Sequence, residues 1–145
     1  MLIAKKPLIV TGAFGPLTAP RVAAALARGL KAGGVPAPDV CPLPPTLEAD
    51  GRMRALLQEL QIDQRMRRAR AVILGEWMLQ ERILAGTATF EIASRARQSG
   101  VPAYAVTGDD ELGSFDARML DLQLVLEARD TRALTAAGRK LASVI

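Results

Sequence analysis

Two stretches of this 145-residue chain carry residue types that could do chemistry with a ligand. The first is Thr11-Gly12-Ala13-Phe14-Gly15-Pro16, which follows an apolar run and precedes Thr18. Gly12 and Gly15 would let the backbone approach a bound group closely, and a helix starting after Thr18 would aim its N–H groups at an anion. The spacing Gly12-x-x-Gly15 falls short of a full G-x-G-x-x-G and Pro16 removes a donor, so an anion cradle and an ordinary tight turn are both open. The second stretch is Gly75-Glu76 with Asp109-Asp110-Glu111, a set of carboxylates that could gather around Mg²⁺. Alternatively Asp109 or Asp110 caps a short helix and the others are solvated. Arg82 could pair with Glu76, with Glu81 or with a ligand carboxylate.

What is missing narrows the chemistry. The chain has no histidine, so no imidazole base, pH switch or metal ligand is available. Cys41 is the sole cysteine, which excludes an intrachain disulfide and a thiolate zinc cluster, and its apolar surroundings predict a small buried hydrophobe. No metal site is expected. The net charge is +4, much of it in the run Arg65, Arg67, Arg68 and Arg70. That run is either a patch for phosphate or nucleic acid, or a solvated helix end whose cations face the negative dipole pole. Aromatic residues are only 3% of the chain, too few for base stacking, so no nucleic-acid partner is expected. No apolar stretch reaches the length of a membrane span, and Lys5 and Lys6 are not followed by a long apolar segment with a cleavage site. No membrane partner is expected, and the expected location is the cytoplasm.

The elements that must position these residues follow from the hydrophobic pattern. Residues 7–11, Pro-Leu-Ile-Val-Thr, do not alternate and read as a strand buried on both faces. Thr18 is placed to cap a helix with Pro20 in its first turn, an inner stripe of Val22, Leu26 and Leu30, and a stop at Gly33-Gly34. Residues 39–43 form a weak, proline-bearing edge strand. Residues 50–60 are helical, and residues 62–70 continue that helix or form a second one. Residues 71–75, Ala-Val-Ile-Leu-Gly, are the clearest strand, followed by a connection over 76–84. A helix over 88–98 stops at Gly100, a strand covers 101–108, and a fifth covers 122–126. Asp130 or Thr131 caps a last helix with the stripe Leu134, Ala137, Leu141 and Val144. Strands alternating with helices require crossovers between parallel strands. The expected fold is therefore one α/β domain over residues 1–145, a doubly wound, Rossmann-like five-stranded parallel sheet with helices on both faces. Trp77 and Met78, just after a strand, would line a pocket, pack under a loop or form a homodimer contact.

Residues 75–108, GEWMLQERILAGTATFEIASRARQSGVPAYAVTG, resemble a late motif of the glycerate kinase family. That motif has the form Gly-Glu-Gly-x-Leu-Asp-x-Gln-Thr-Leu-x-Gly-Lys, then a helix, then Gly-Val-Pro-Val-x-Ala-x-x-Gly. Gly75, Glu76, Leu79, Leu84, Gly86, Ala93, Gly100, Val101, Pro102, Ala105 and Gly108 stand where the family has the same residues. Residues 11–18 resemble the family's opening Asp-Ser-Phe-Lys-Gly-Ser-Leu-Ser, followed at the matching spacing by an alanine-rich helix. The two regions cover roughly half of the chain. Family members are much longer, with a Rossmann-like domain built from their two ends, a second domain from the middle, and an active site between them. The resemblance implies a chain that keeps the ends and lacks the middle.

The departures fall on the charged and polar positions. Thr11 stands at the family's Asp, Gly12 at its Ser, Phe14 at its Lys, Gln80 at an Asp, Arg82 at a Gln and Thr87 at a Lys. Phosphoryl transfer depends on positioning and charge stabilisation, and losing one electrostatic partner costs about 10²–10³ in rate. The resemblance with these departures implies a non-catalytic domain that binds a small anionic metabolite or nucleotide, or a partner, at the carboxyl edge of the sheet. The candidate ligand-binding residues are Thr11, Gly12, Phe14, Gly15, Glu76, Gln80, Arg82, Thr87 and Asp109. Two other readings stay open. One is an active glycerate kinase or related phosphotransferase, which alone would call for ATP and Mg²⁺; the other is a structural or assembly module, including a homodimer.

Overall fold

The computed structural model describes residues 5–35, 37–44, 53–79, 88–111 and 120–145. Its strands are β1 (Lys6–Thr11), β2 (Asp39–Pro42), β3 (Ala69–Leu79), β4 (Ala103–Asp110) and β5 (Leu122–Glu127). Its helices are α1 (Ala19–Ala32), α2 (Met53–Glu59), α3 (Ile62–Arg67), α4 (Ala88–Gln98) and, last in the chain, α5 (Thr131–Ala142). The strands form one sheet in the order β2-β1-β3-β4-β5, with every pairing parallel. This is the flavodoxin-like member of the doubly wound class, with the chain reversing its direction of travel across the sheet between β1 and β3.

The central strands are buried for the reason their composition suggests. Leu8, Ile9 and Val10 of β1 and Val72, Ile73 and Leu74 of β3 are at most 1% exposed, because helices cover both faces of the sheet centre. One face carries α1 and α5, with Val22, Leu26 and Leu30 meeting Leu134, Ala137 and Leu141 over Ile9, Ile73 and Val106. The other carries the remaining helices, with Leu57, Ile62, Met66, Ile92 and Ala96 over Leu8, Val10, Val72 and Leu74. The α1–α5 pair is very close. A Cβ on Gly29 would run into the Thr135 carbonyl oxygen, and one on Gly138 would run into that of Leu26.

Several expectations are corrected. Residues 76–79 are not a connection, since β3 runs to Leu79 and pairs Met78 with Asp109 and Leu79 with Asp110. The unbroken ladder to β4 outweighs the glycine at position 75 as a stop signal. Asp109 and Asp110 are the last two residues of β4, and the stretch in which a short helix could follow them lies outside the described residues. The helix expected over 62–70 stops at Arg67, and Arg70 belongs to β3. Thr18 occupies the N-cap of α1, but its side chain makes no capping hydrogen bond. Asp130 does cap α5, accepting from the Ala133 N–H at 2.8 Å. Val144 leaves the inner stripe and is 48% exposed, because α5 ends at Ala142 and the chain turns away. Cys41 is buried at 1% exposure, as its surroundings predict. Among the described residues no helix is long and apolar enough to cross a membrane.

Candidate functional site

The carboxyl ends of β1 and β3 lie side by side at the point where the chain reverses, the place where doubly wound sheets hold ligands. Thr11 pairs with Gly75 in register, and the Gly12 N–H donates to the Gly75 carbonyl at 3.1 Å. The register explains the glycine. A Cβ at position 75 would collide with the Thr11 side chain, which is fully buried and donates to the Gly12 carbonyl at 2.9 Å. Thr11 is therefore part of the floor of this rim and its hydroxyl does not face solvent.

The loop that follows is closed on itself. Phe14 and Leu17 exchange two backbone hydrogen bonds of 2.9 Å across a turn in which Gly15 has φ +53°, a conformation that favours glycine. The amides of Gly12, Phe14 and Leu17 are thus spent within the protein. Those of Ala13 and Gly15 have no partner among the described residues and remain available to an anion. Gly12 differs from its neighbours in having open space around it, with nothing within 4 Å of where a Cβ would stand.

Phe14 is 0% exposed and belongs to the core under α1. Its ring meets that of Trp77 at a centroid distance of 5.7 Å and a tilt of 56°. Trp77 is held from two more sides. Its indole packs 3.3 Å from the Cβ position of Gly15, and any side chain at Gly108 would collide with it. Of the three roles open for Trp77, the coordinates support packing beneath the first loop. Met78, on the opposite strand face by alternation, is 39% exposed.

Strand alternation also divides the candidate residues. Trp77 joins the α1/α5 face, whereas Glu76 reaches the α4 face and accepts a 2.6 Å hydrogen bond from the Thr89 hydroxyl. Asp109 shares the parity of Ala103, which packs on that same α4 side. Its N–H and C=O both meet the Thr107 hydroxyl, at 3.3 and 3.1 Å, and that hydroxyl also approaches the Trp77 carbonyl at 3.2 Å. The rim thus brings Thr11, Gly12, Gly15, Glu76 and Asp109 to one end of the sheet, with Phe14 turned inward. Gln80, Arg82 and Thr87 lie outside the described residues.

No three Asp, Glu, Cys or His side chains among the described residues are grouped to hold a metal ion. Asp109 and Asp110 project to opposite faces as consecutive strand residues. The first loop offers no side-chain cation, because Phe14 fills that position from inside.

A cation does reach the rim from elsewhere. Arg129, just after β5, donates from Nε to the Gly108 carbonyl at 2.7 Å while the residue stays exposed. The sequence reading overlooked it, although any residue following a parallel strand must emerge at the carboxyl edge, so the signal was present. Thr89 was overlooked for a different reason, since its partner Glu76 is 13 residues away and nothing local couples them.

The family model for the glycerate kinase family matches residues 31–135, well over half of the chain. The first loop lies before that stretch. No curated protein matches significantly. Among solved structures, the chain is similar to a diflavin flavoprotein from Nostoc sp., with TM-score 0.54, 17% identity, and coverage of 98% of this chain and 94% of that one. It is similar to a flavodoxin from the domain Archaea with TM-score 0.53 and 12% identity, covering 96% and 97% of the two chains. A Salmonella typhimurium LT2 protein assigned as glycerate kinase 2 aligns with TM-score 0.47 and 14% identity, over 63% of this chain and 26% of that one. The flavoprotein and flavodoxin likenesses bear on the fold alone.

Proposed function

The chain belongs to the glycerate kinase family, and on that premise we propose that it has given up phosphoryl transfer and keeps the carboxyl rim of its sheet to bind a small anionic ligand. The observation that carries this reading is Phe14. It stands where the family resemblance has a lysine, and it is wholly buried against Trp77. A transferring phosphoryl group needs cations placed against its developing charge, and losing one such partner costs about 10²–10³ in rate. Here the loop contributes no cation, and the described carboxylates form no metal-holding group. What remains suits binding: the amides of Ala13 and Gly15, without a partner among the described residues, open space over Gly12, and the Arg129 guanidinium beside Gly108. Amides and a guanidinium together favour a carboxylate or phosphate.

Two measurements test this. ADP release from ATP–Mg²⁺ with glycerate should stay at the level of buffer, and turnover would overturn the non-catalytic reading. Thermal unfolding with glycerate, inorganic phosphate and ATP–Mg²⁺ in turn should show a rise in Tm with at least one of them, since only a ligand that prefers the folded form raises it. Gly12→Ala should fold normally, because its Cβ meets nothing within 4 Å, yet abolish that rise by filling the space over the loop. Arg129→Gln should weaken it. No rise with any of the three anions would refute the binding site.

A further inference from the structure

At the opposite, amino-terminal edge of the sheet lies a second feature. The starts of β1 and β2 and the end of α3 enclose a cleft of about 710 Å³, a volume within the range of small-molecule sites. Among the described residues its charged lining is Lys5, Lys6, Arg65, Arg67 and Arg68 against the carboxylate of Asp39. The local excess equals the net charge of the whole chain, +4, so the remainder of the molecule is balanced and its positive potential is concentrated here. Lys5, Lys6, Arg67 and Arg68 make no ion pair among the described residues.

Arg65 is held differently from the other four. Its Nε is 3.7 Å from Asp39 Oδ2, a separation that leaves the pair loosely engaged, its guanidinium also lies against the Cys41 thiol, a weak acceptor, and its Nη1 is buried without a well-formed hydrogen bond among the described residues. A buried guanidinium N–H without an acceptor is costly and asks for one. The backbone shapes the same wall. Gln61, which lines the cleft, takes a left-handed conformation at φ 56°, and this separates α2 from α3 and sets the direction in which α3 delivers its arginines. Packing cations at the last turn of a helix accounts for one or two of them through the dipole. It does not account for Lys6 at the start of β1 and Lys5 just before it, which line the same cleft.

We propose that this amino-edge cleft binds a small molecule carrying two or more phosphate groups, at a site separate from the carboxyl rim. Guanidinium and ammonium groups converging on one concavity match clustered phosphate oxygens. Among the described residues the cleft's lining contains no aromatic side chain on which a base could stack, and its concave form suits a compact ligand over an extended strand.

The test uses the full chain and inorganic tripolyphosphate as probe, by calorimetric titration at low ionic strength and again at 150 mM salt. Binding at the cleft should weaken with salt, as counterion release and screening require. The double variant Lys6→Gln/Arg68→Gln should weaken it about tenfold, the loss expected for two solvent-exposed charge pairs. Arg139→Gln/Lys140→Gln removes the same charge from exposed positions on α5 and should leave affinity within about twofold. Equal weakening by both pairs would overturn the site in favour of diffuse attraction, as would binding no tighter than that of chloride. Tighter binding of a short DNA duplex than of tripolyphosphate, abolished by the first pair, would overturn the assignment to a small ligand. Gly12→Ala should leave unchanged the part of tripolyphosphate binding that Lys6→Gln/Arg68→Gln weakens, so failure here and failure at the carboxyl rim are read independently.

Discussion

Replacing Phe14 by lysine, the residue type that the family resemblance matches to this position, tests the central structural argument. If Phe14 belongs to the core, the substitution destroys stability instead of restoring chemistry. Phe14 is fully buried, and truncating such a ring costs about 3–5 kcal/mol. The lysine stem recovers part of that burial, while the ring contact with Trp77 is lost at about 1 kcal/mol. The ammonium group has no described carboxylate beside it, so it must either reach water or lose its proton, at about 1.4 kcal/mol for each pKa unit of depression. The total is about 4–6 kcal/mol, a large share of the 5–15 kcal/mol that ordinarily holds a domain together. With a urea dependence of about 2 kcal/mol per M, the unfolding midpoint should fall by about 2–3 M. Trp77 is the sole tryptophan and touches the substituted residue, so its fluorescence reports both the transition and the local packing. The pH dependence supplies a second signature. A lysine whose pKa is depressed in the folded state binds fewer protons there than in the unfolded chain, so stability must rise with pH from neutrality towards about 10. Phe14→Leu, which keeps the site apolar, should cost only about 1–2 kcal/mol and show no such rise. A lysine variant whose midpoint lies within about 0.5 M of the parent, with unchanged Trp77 emission, would refute the argument. The first loop could then present a cation to the rim.

Three further outcomes follow from the packing. Gly138→Ala should destabilise by about 1–3 kcal/mol, lowering Tm by roughly 3–9 °C in a calorimetric scan, because its methyl group meets the backbone of α1 at Leu26 and Gly29; a gain in Tm, as helix propensity alone would give, would contradict the close α1–α5 approach. Thr89→Ala should cost about 1–2 kcal/mol in urea unfolding by removing the 2.6 Å hydrogen bond to Glu76, whereas Thr89→Ser should retain most of it. Burial pushes the Cys41 thiol up, against the opposing pull of the Arg65 guanidinium. A thiol reagent at pH 8 should therefore modify the folded protein far more slowly than the urea-unfolded one, and stability should fall as pH rises above about 8.5, where only the unfolded chain gives up the proton. Cys41→Ala should flatten that fall.

The sequence by itself determined the class of fold and the type of nearly every element. Non-alternating apolar runs such as Leu8-Ile9-Val10 and Val72-Ile73-Leu74 can be satisfied only between two layers of helix, and the 3.6-residue stripes of α1 and α5 supply one layer. Gly33-Gly34, Gly100 and Asp130 marked helix ends through backbone freedom and side-chain geometry that act within a few residues. The family kinship was likewise legible, in the ordered residues from Gly75 to Gly108. Tertiary structure alone decided the strand order, the extension of β3 past Gly75, and which face of the sheet each candidate residue meets. It also decided that Phe14 is core, through contacts with Trp77, which is itself wedged against Gly15 and Gly108. The physical reason is range. Periodicity and capping are set by neighbours along the chain, whereas positions 14, 77 and 108 are brought together only when three strands align in register, and no local pattern records that alignment.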